Sequence, residues 1–112
     1  MPDSVFGKIA RGEIPARIVH QDERALAFHD LNPQAPVHLL VIPRKPIERL
    51  GAAEPEDEGL LGHLMLVAQR VAAEAGLSDY RLVVNNGAGA GQTVFHLHVH
   101  VLGGRTFGWP PG

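Results

Sequence analysis

Apolar residues recur at the three-and-four spacing of an amphipathic helix in one long segment, where Leu60, Leu61, Leu64, Val67, Ala68, Val71, Ala72 and Ala75 share a face. Gly76 follows as a natural C-terminal stop, and Glu54, Glu56, Asp57 and Glu58 crowd the start, where the helix dipole favours negative charge. That acidic group reads as a solvated capping cluster rather than a site. A second, short helix is expected over residues 5–10, with Ser4 as its cap, Phe6 and Ile9 on one side and Gly12 as its end. The other apolar runs are short and β-favouring: residues 17–22, 25–30 and 37–42 predict an antiparallel meander, and 80–84 and 94–102 add two more strands. Prolines at 15, 33, 36, 43 and 46 and the run Asn85-Asn86-Gly87-Ala88-Gly89-Ala90-Gly91-Gln92-Thr93 mark the connections. Together these elements predict an α+β fold, an antiparallel sheet with the long helix covering one face.

Length and composition narrow the classes. A chain of 112 residues, 45% hydrophobic, suits one globular domain that buries roughly two-thirds of its unfolded surface. Ten Lys and Arg against twelve Asp and Glu leave a net charge of -2, too small to hold a nucleic acid or an anionic membrane surface. There is no cysteine, hence no disulfide, thiolate metal site or thiol nucleophile. No apolar run approaches the roughly 20 residues needed to cross a bilayer, and the first residues carry acidic groups, so a cytoplasmic protein is expected.

The chemistry concentrates in seven histidines. In Val94-Phe95-His96-Leu97-His98-Val99-His100-Val101-Leu102, strict alternation sends Phe95, Leu97, Val99 and Val101 to one face and His96, His98 and His100 to the other. Each imidazole titrates near neutrality and serves as base, nucleophile or ligand. Metal binding is the rival reading. Strand residues four apart lie about 13 Å apart along the backbone, so one ion cannot hold all three histidines. No Asp or Glu occurs from residue 80 onward to complete the ligands, and no metal is expected. The same lack of carboxylates favours an anionic substrate. The glycine-rich loop offers unobstructed backbone N–H groups, with the Thr93 hydroxyl beside them, in the manner of a phosphate-binding nest, although such a run is also an ordinary hairpin connection. With no cysteine and no local carboxylate for a Ser-His-Asp arrangement, an imidazole attacking phosphorus is the economical nucleophile, through a phosphohistidine intermediate.

His96-Leu97-His98-Val99-His100-Val101-Leu102 resembles the signature of the histidine triad (HIT) proteins, and Ala27-Phe28-His29-Asp30, Pro33-Gln34-Ala35-Pro36, Gly103-Gly104-Arg105 and Trp109-Pro110-Pro111-Gly112 look like its nucleotide-binding Hint branch. The likeness runs over nearly the whole chain. It implies a single domain over residues 1–112, a five-stranded antiparallel sheet with one long and one short helix, and a homodimer joined into a ten-stranded sheet. It implies a hydrolase that cleaves adenosine 5′-phosphoramidates and aminoacyl- or lysyl-adenylates to AMP, with no cofactor. Carried over residue by residue, His98 is the nucleophile, oriented by the carbonyl of His96, while His100 and His38 serve the proton relay and phosphate. Asp30 binds the ribose, and Asn85, Gly91, Gln92 and Thr93 hold the phosphate. Phe6, Ile9, Phe28, His29 and Leu31 form the purine slot, and Trp109 reaches into the partner's site. On the residues alone, Asp30 and Asn85 are also plain turn formers, and Phe6, Ile9 and Phe28 plain core. Thr93 stands where close relatives carry Ser, and Pro46 where a His is common. His20, His29 and His63 stand apart from the triad.

Overall fold

The computed structural model describes residues 3–112. Strands β1 (Ile18–Gln21), β2 (Ala25–His29) and β3 (Val37–Pro43) form the expected meander; β4 (Tyr80–Val83) and β5 (Val99–Gly103) complete a sheet of order β1-β2-β3-β5-β4, antiparallel throughout. Helix α1 spans Val5–Ala10 and α2 spans Glu58–Glu74.

The local signals hold. Ser4 Oγ accepts the Gly7 N–H at 2.9 Å, and Gly12 leaves α1 with φ +75°. At the end of α2, Leu77 N–H bonds the carbonyl of Ala72 and Gly76 N–H that of Ala73, with Gly76 at φ +81°, a Schellman stop that only glycine enters without strain. The acidic start of α2 is more than a solvated cluster. Asp57 is buried, receives the Glu54 N–H at 2.9 Å and is paired with Lys45 at 2.6 Å.

Strand alternation sorts two cores. Ala25, Ala27, Leu39, Val41, Val99 and Val101 face α2 and pack on its Leu64, Val67, Ala68, Val71 and Ala72. Leu26, Phe28, Leu40 and Ile42 face the other way, toward Ile9 and Ala10 of α1. Because α1 is only six residues long, it covers one end of that second face and leaves the rest as a concave wall. Ala75, assigned to the apolar face of the long helix, lies beyond its last turn and is exposed.

The predicted strand over 94–102 is too long. Only Val99–Gly103 joins the sheet, and residues 94–98 bend out of it. The cause is visible at Pro43, which has no N–H to offer a neighbour. Its carbonyl receives the His96 ring at 2.7 Å, while Leu97 N–H turns to the carbonyl of Ile47, also at 2.7 Å. Leu97, Val99 and Val101 still reach the α2 core, whereas Phe95 is only half-buried.

Candidate functional site

The wall left open by α1 bounds a cavity of about 530 Å³. Phe6 and Ile9 come from α1, Phe28 and His29 from the end of β2, Asp30 and Leu31 from the following turn, His38 from β3, Gly91 and Thr93 from the glycine-rich loop, and His98 and His100 from the last strand and its approach. Sequence positions nearly a hundred residues apart meet here because β3 lies between β2 and β5. Pairing of Leu40 with His100 and of His38 with Leu102 sets both imidazoles on the cavity face.

The three triad histidines have different surroundings. His96 is buried and its Nε2 is spent on the carbonyl of Pro43, so it lies behind the cavity rather than in it. The strict alternation that put it beside His98 and His100 fails where the chain leaves the sheet. His98 Nδ1 lies 2.7 Å from the His96 carbonyl. A carbonyl only accepts, so Nδ1 carries the proton and Nε2 keeps its lone pair for the cavity. The edge of Phe6 stands against the His98 ring, with centroids 5.0 Å apart, and against Phe28 at 5.4 Å.

His38 and His100 form a directed pair. The backbone N–H of Gln34 donates to His38 Nδ1 at 3.0 Å, which leaves the His38 proton on Nε2. His38 Nε2 lies 2.9 Å from His100 Nδ1, which must then accept, so His100 carries its own proton on Nε2. Asp30 Oδ2 stands 3.4 Å from His38 Nε2 and supplies the carboxylate that residues 80–112 lack. Burial pushes all four imidazoles, His38, His96, His98 and His100, below the ordinary histidine value, opposed at His38 by the Asp30 charge. For His100 burial, then the neighbouring His98 and His38, bring it down to about 4. The site at neutral pH therefore holds uncharged imidazoles: one lone pair on His98 and one N–H on His100.

Asp30, His38 and His100 each offer a ligand atom, all within 4.8 Å of one another. Their surroundings suit a proton path better than a cation. A metal-bound imidazole donates its second N–H to an acceptor, whereas the second nitrogen of His38 faces the Gln34 N–H donor.

The glycine-rich loop works differently from the nest expected of it. Gly87 and Gly91, at φ +96° and +97°, allow a tight turn over Ala88–Ala90, and the N–H groups of Ala90, Gly91 and Gln92 are consumed inside it. The side chain of Gln92 is turned inward. It accepts the Gly87 N–H at 2.8 Å and donates to the carbonyls of Glu48 and Val94, so no atom of it is free for a phosphate. Asn85 does not line the cavity, and only Gly91 and Thr93 of this group do. Leu31 is 96% exposed at the rim, and Trp109 is 83% exposed, away from the cavity of its own chain. Gln34 carried no sequence signal as a site residue, because a backbone donor leaves no trace in side-chain chemistry.

The HIT domain family matches residues 11–107 of the chain. An uncharacterized HIT-like protein of Synechocystis sp. is 64% identical over 111 residues, covering 98% of this chain and 97% of its own. Among solved structures, a HIT family hydrolase from Legionella pneumophila is 49% identical, with a TM-score of 0.93 over 96% of this chain and 98% of that one. The histidine triad nucleotide-binding protein of Candida albicans is 29% identical, with a TM-score of 0.82 over 96% of this chain and 82% of that one. The fold and almost the full length agree, and the chain belongs to the HIT domain family.

Proposed function

We propose that this protein is a purine nucleoside phosphoramidate hydrolase working through an adenylyl-histidine intermediate. The observation that carries the reading is the fixed tautomer of His98, whose Nδ1–H is held by the His96 carbonyl while its Nε2 lone pair belongs to a cavity of nucleotide size. Phe6, Ile9, Phe28, His29 and Leu31 would take the purine, and Asp30 the ribose hydroxyls. Thr93 and the His100 N–H would face the phosphate, with Gly91 giving it room and Asn85 and Gln92 shaping the loop behind it. The Legionella relative, a HIT family hydrolase, and the Candida relative, a histidine triad nucleotide-binding protein, agree with this use.

The reaction follows from the two ring nitrogens. His98 Nε2 attacks phosphorus and the P–N bond to the leaving amine breaks, the departing nitrogen taking a proton from a water held by the His100 Nε2–H. The hydroxide so formed attacks the adenylyl group from the vacated side. The bond to His98 breaks, AMP leaves and His98 returns to its neutral state, while His100 keeps its proton throughout and donates it as a hydrogen bond. Neutral imidazoles suit both steps, because a protonated His98 has no lone pair to give phosphorus and His100 needs only its N–H.

The reading extends to a pair of copies. Strand β4 is an outer strand of the sheet, and Trp109 and Leu66 are exposed. Two chains joined through their sheets into ten strands would bring the Trp109 of each to the leaving-group side of the other. The deciding assay follows AMP release from adenosine 5′-phosphoramidate in chelator-containing buffer. Turnover by the native protein and none by His98→Ala supports the hydrolase; failure of both, with AMP still bound, overturns it in favour of a nucleotide-binding protein.

A further inference from the structure

We propose that the peptide N–H of Gln34, braced by Arg105, is a positioning device that fixes the direction of the His38–His100 hydrogen bond and so places a proton on the cavity-facing nitrogen of His100. An imidazole pair has two possible directions, and each ring nitrogen can be donor or acceptor. Unrestrained, the pair would populate both, and in the reverse direction His100 would offer the cavity a lone pair instead of an N–H. Two groups break the symmetry. The Asp30 carboxylate, 3.4 Å from His38 Nε2, favours a proton on that nitrogen, and the Gln34 N–H, 3.0 Å from His38 Nδ1, requires an acceptor at the other, so the His38 proton sits on Nε2 and that of His100 follows from it.

The turn that carries this N–H is gripped from the far end of the chain. Arg105 Nε and Nη2 both lie 3.3 Å from the Gln34 carbonyl, a two-pronged hold on the neighbouring peptide. Gly104, at φ +90°, lets its backbone lie so close to Pro36 that a Cβ there would stand 2.8 Å from the proline Cβ. The Gln34 side chain closes the turn on itself by donating to the Asn32 carbonyl at 3.0 Å. Residues just after β5 thus hold the loop just before β3, and the two strands bearing His100 and His38 are paired between them. Arg105 touches neither imidazole; it acts through the Gln34 peptide.

The kinetic consequence rests on the hydrolase reading above, while the tautomers do not, so the two are tested separately. Long-range ¹H–¹⁵N spectra of the histidine rings report which nitrogen of each holds the proton. In the native protein His38 and His100 are expected with the proton on Nε2, and Gln34→Ala, which keeps the peptide N–H, is expected to show the same. Gln34→Pro removes the N–H; His38 Nδ1 should then acquire proton character and kcat should fall about tenfold with KM little changed, the size of one lost hydrogen bond. Arg105→Ala keeps the N–H but frees the peptide, and should give the same spectral change in smaller measure. A native His38 protonated on Nδ1 overturns the proposal. So do unchanged tautomers in a folded Gln34→Pro; should that variant not fold, unchanged tautomers in Arg105→Ala overturn it. Native spectra as expected in a protein that does not turn over the phosphoramidate would leave the device standing and remove the proposed reaction.

Discussion

Six of the seven histidines fall into two groups with opposite habits. In the first, His38, His96 and His98 each meet a backbone group, and His100 meets His38. In the second, at the β1–β2 turn, His20 and His63 both bond one oxygen of Asp22, at 2.7 and 2.8 Å, and Arg24 reaches His63 Nδ1 at 3.2 Å. A backbone partner fixes one ring nitrogen without adding charge, so His98 and His100 are each left with a defined, neutral atom facing a cavity. A carboxylate partner shared by two imidazoles ties three side chains together and uses them up. Burial alone would raise the Asp22 carboxyl, but His20, the Arg24 and Ala25 N–H groups and His63 hold it well below the ordinary carboxylate range. One group is built for chemistry, the other joins α2 to the β1–β2 turn.

The sharpest way to break this contrast is His98→Ala, expected to lower the rate of AMP release about 10⁴-fold or more, as loss of a covalent nucleophile does, while the far-UV spectrum stays native. Asp22→Ala should do the reverse: unfolding in urea should show about 2–4 kcal/mol less stability, the sum expected for several bonds to one charged acceptor, with kcat unaltered. If Asp22→Ala silences the reaction with the fold intact, the separation of the two groups is wrong.

Acid should reach the two groups over different ranges. His38, His96, His98 and His100 have folded values below that of a free histidine, so between about 4 and 6.5 the unfolded chain binds more protons than the native one, and stability should fall as pH drops through that window. Asp22 has a depressed carboxyl, and its stabilising share should be lost only lower, as pH falls below the unfolded carboxylate value. Thermal melts from pH 7 to 3 should show a first decline in the native protein that is reduced in His100→Asn, and a later one reduced in Asp22→Asn. Turnover should persist below pH 6 and fail as the coupled imidazoles titrate toward the His100 value of about 4. The smallest effect is assigned to Thr93→Ser, which keeps the hydroxyl and removes one methyl; a change of kcat/KM beyond about threefold would show that the methyl shapes the leaving-group path.

Much of this was readable along the chain wherever the cause is local. Ser4 and Gly76 end their helices through groups within a few residues, and the three-and-four spacing of Leu64, Val67, Ala68, Val71 and Ala72 needs no distant partner to define a face. The alternation at Leu97, Val99 and Val101 gave the right core, yet the same pattern misplaced His96, because whether residue 96 stays in the sheet depends on Pro43 and Ile47 some fifty positions earlier. Gln92 and Asn85 are phosphate contacts by resemblance, yet the folded loop turns Gln92 inward and Asn85 lies outside the cavity lining. The absence of carboxylates after residue 80 was true of the segment and untrue of the site, since Asp30 arrives from the other side of β3.

The sequence by itself determined the elements, the apolar faces that join them and the presence of an imidazole cluster, because periodicity and capping act over a few residues. Tertiary structure alone decided which histidines share a cavity and which nitrogen of each bears the proton. Both depend on strand register and on backbone donors and acceptors, which every residue carries and no side chain announces.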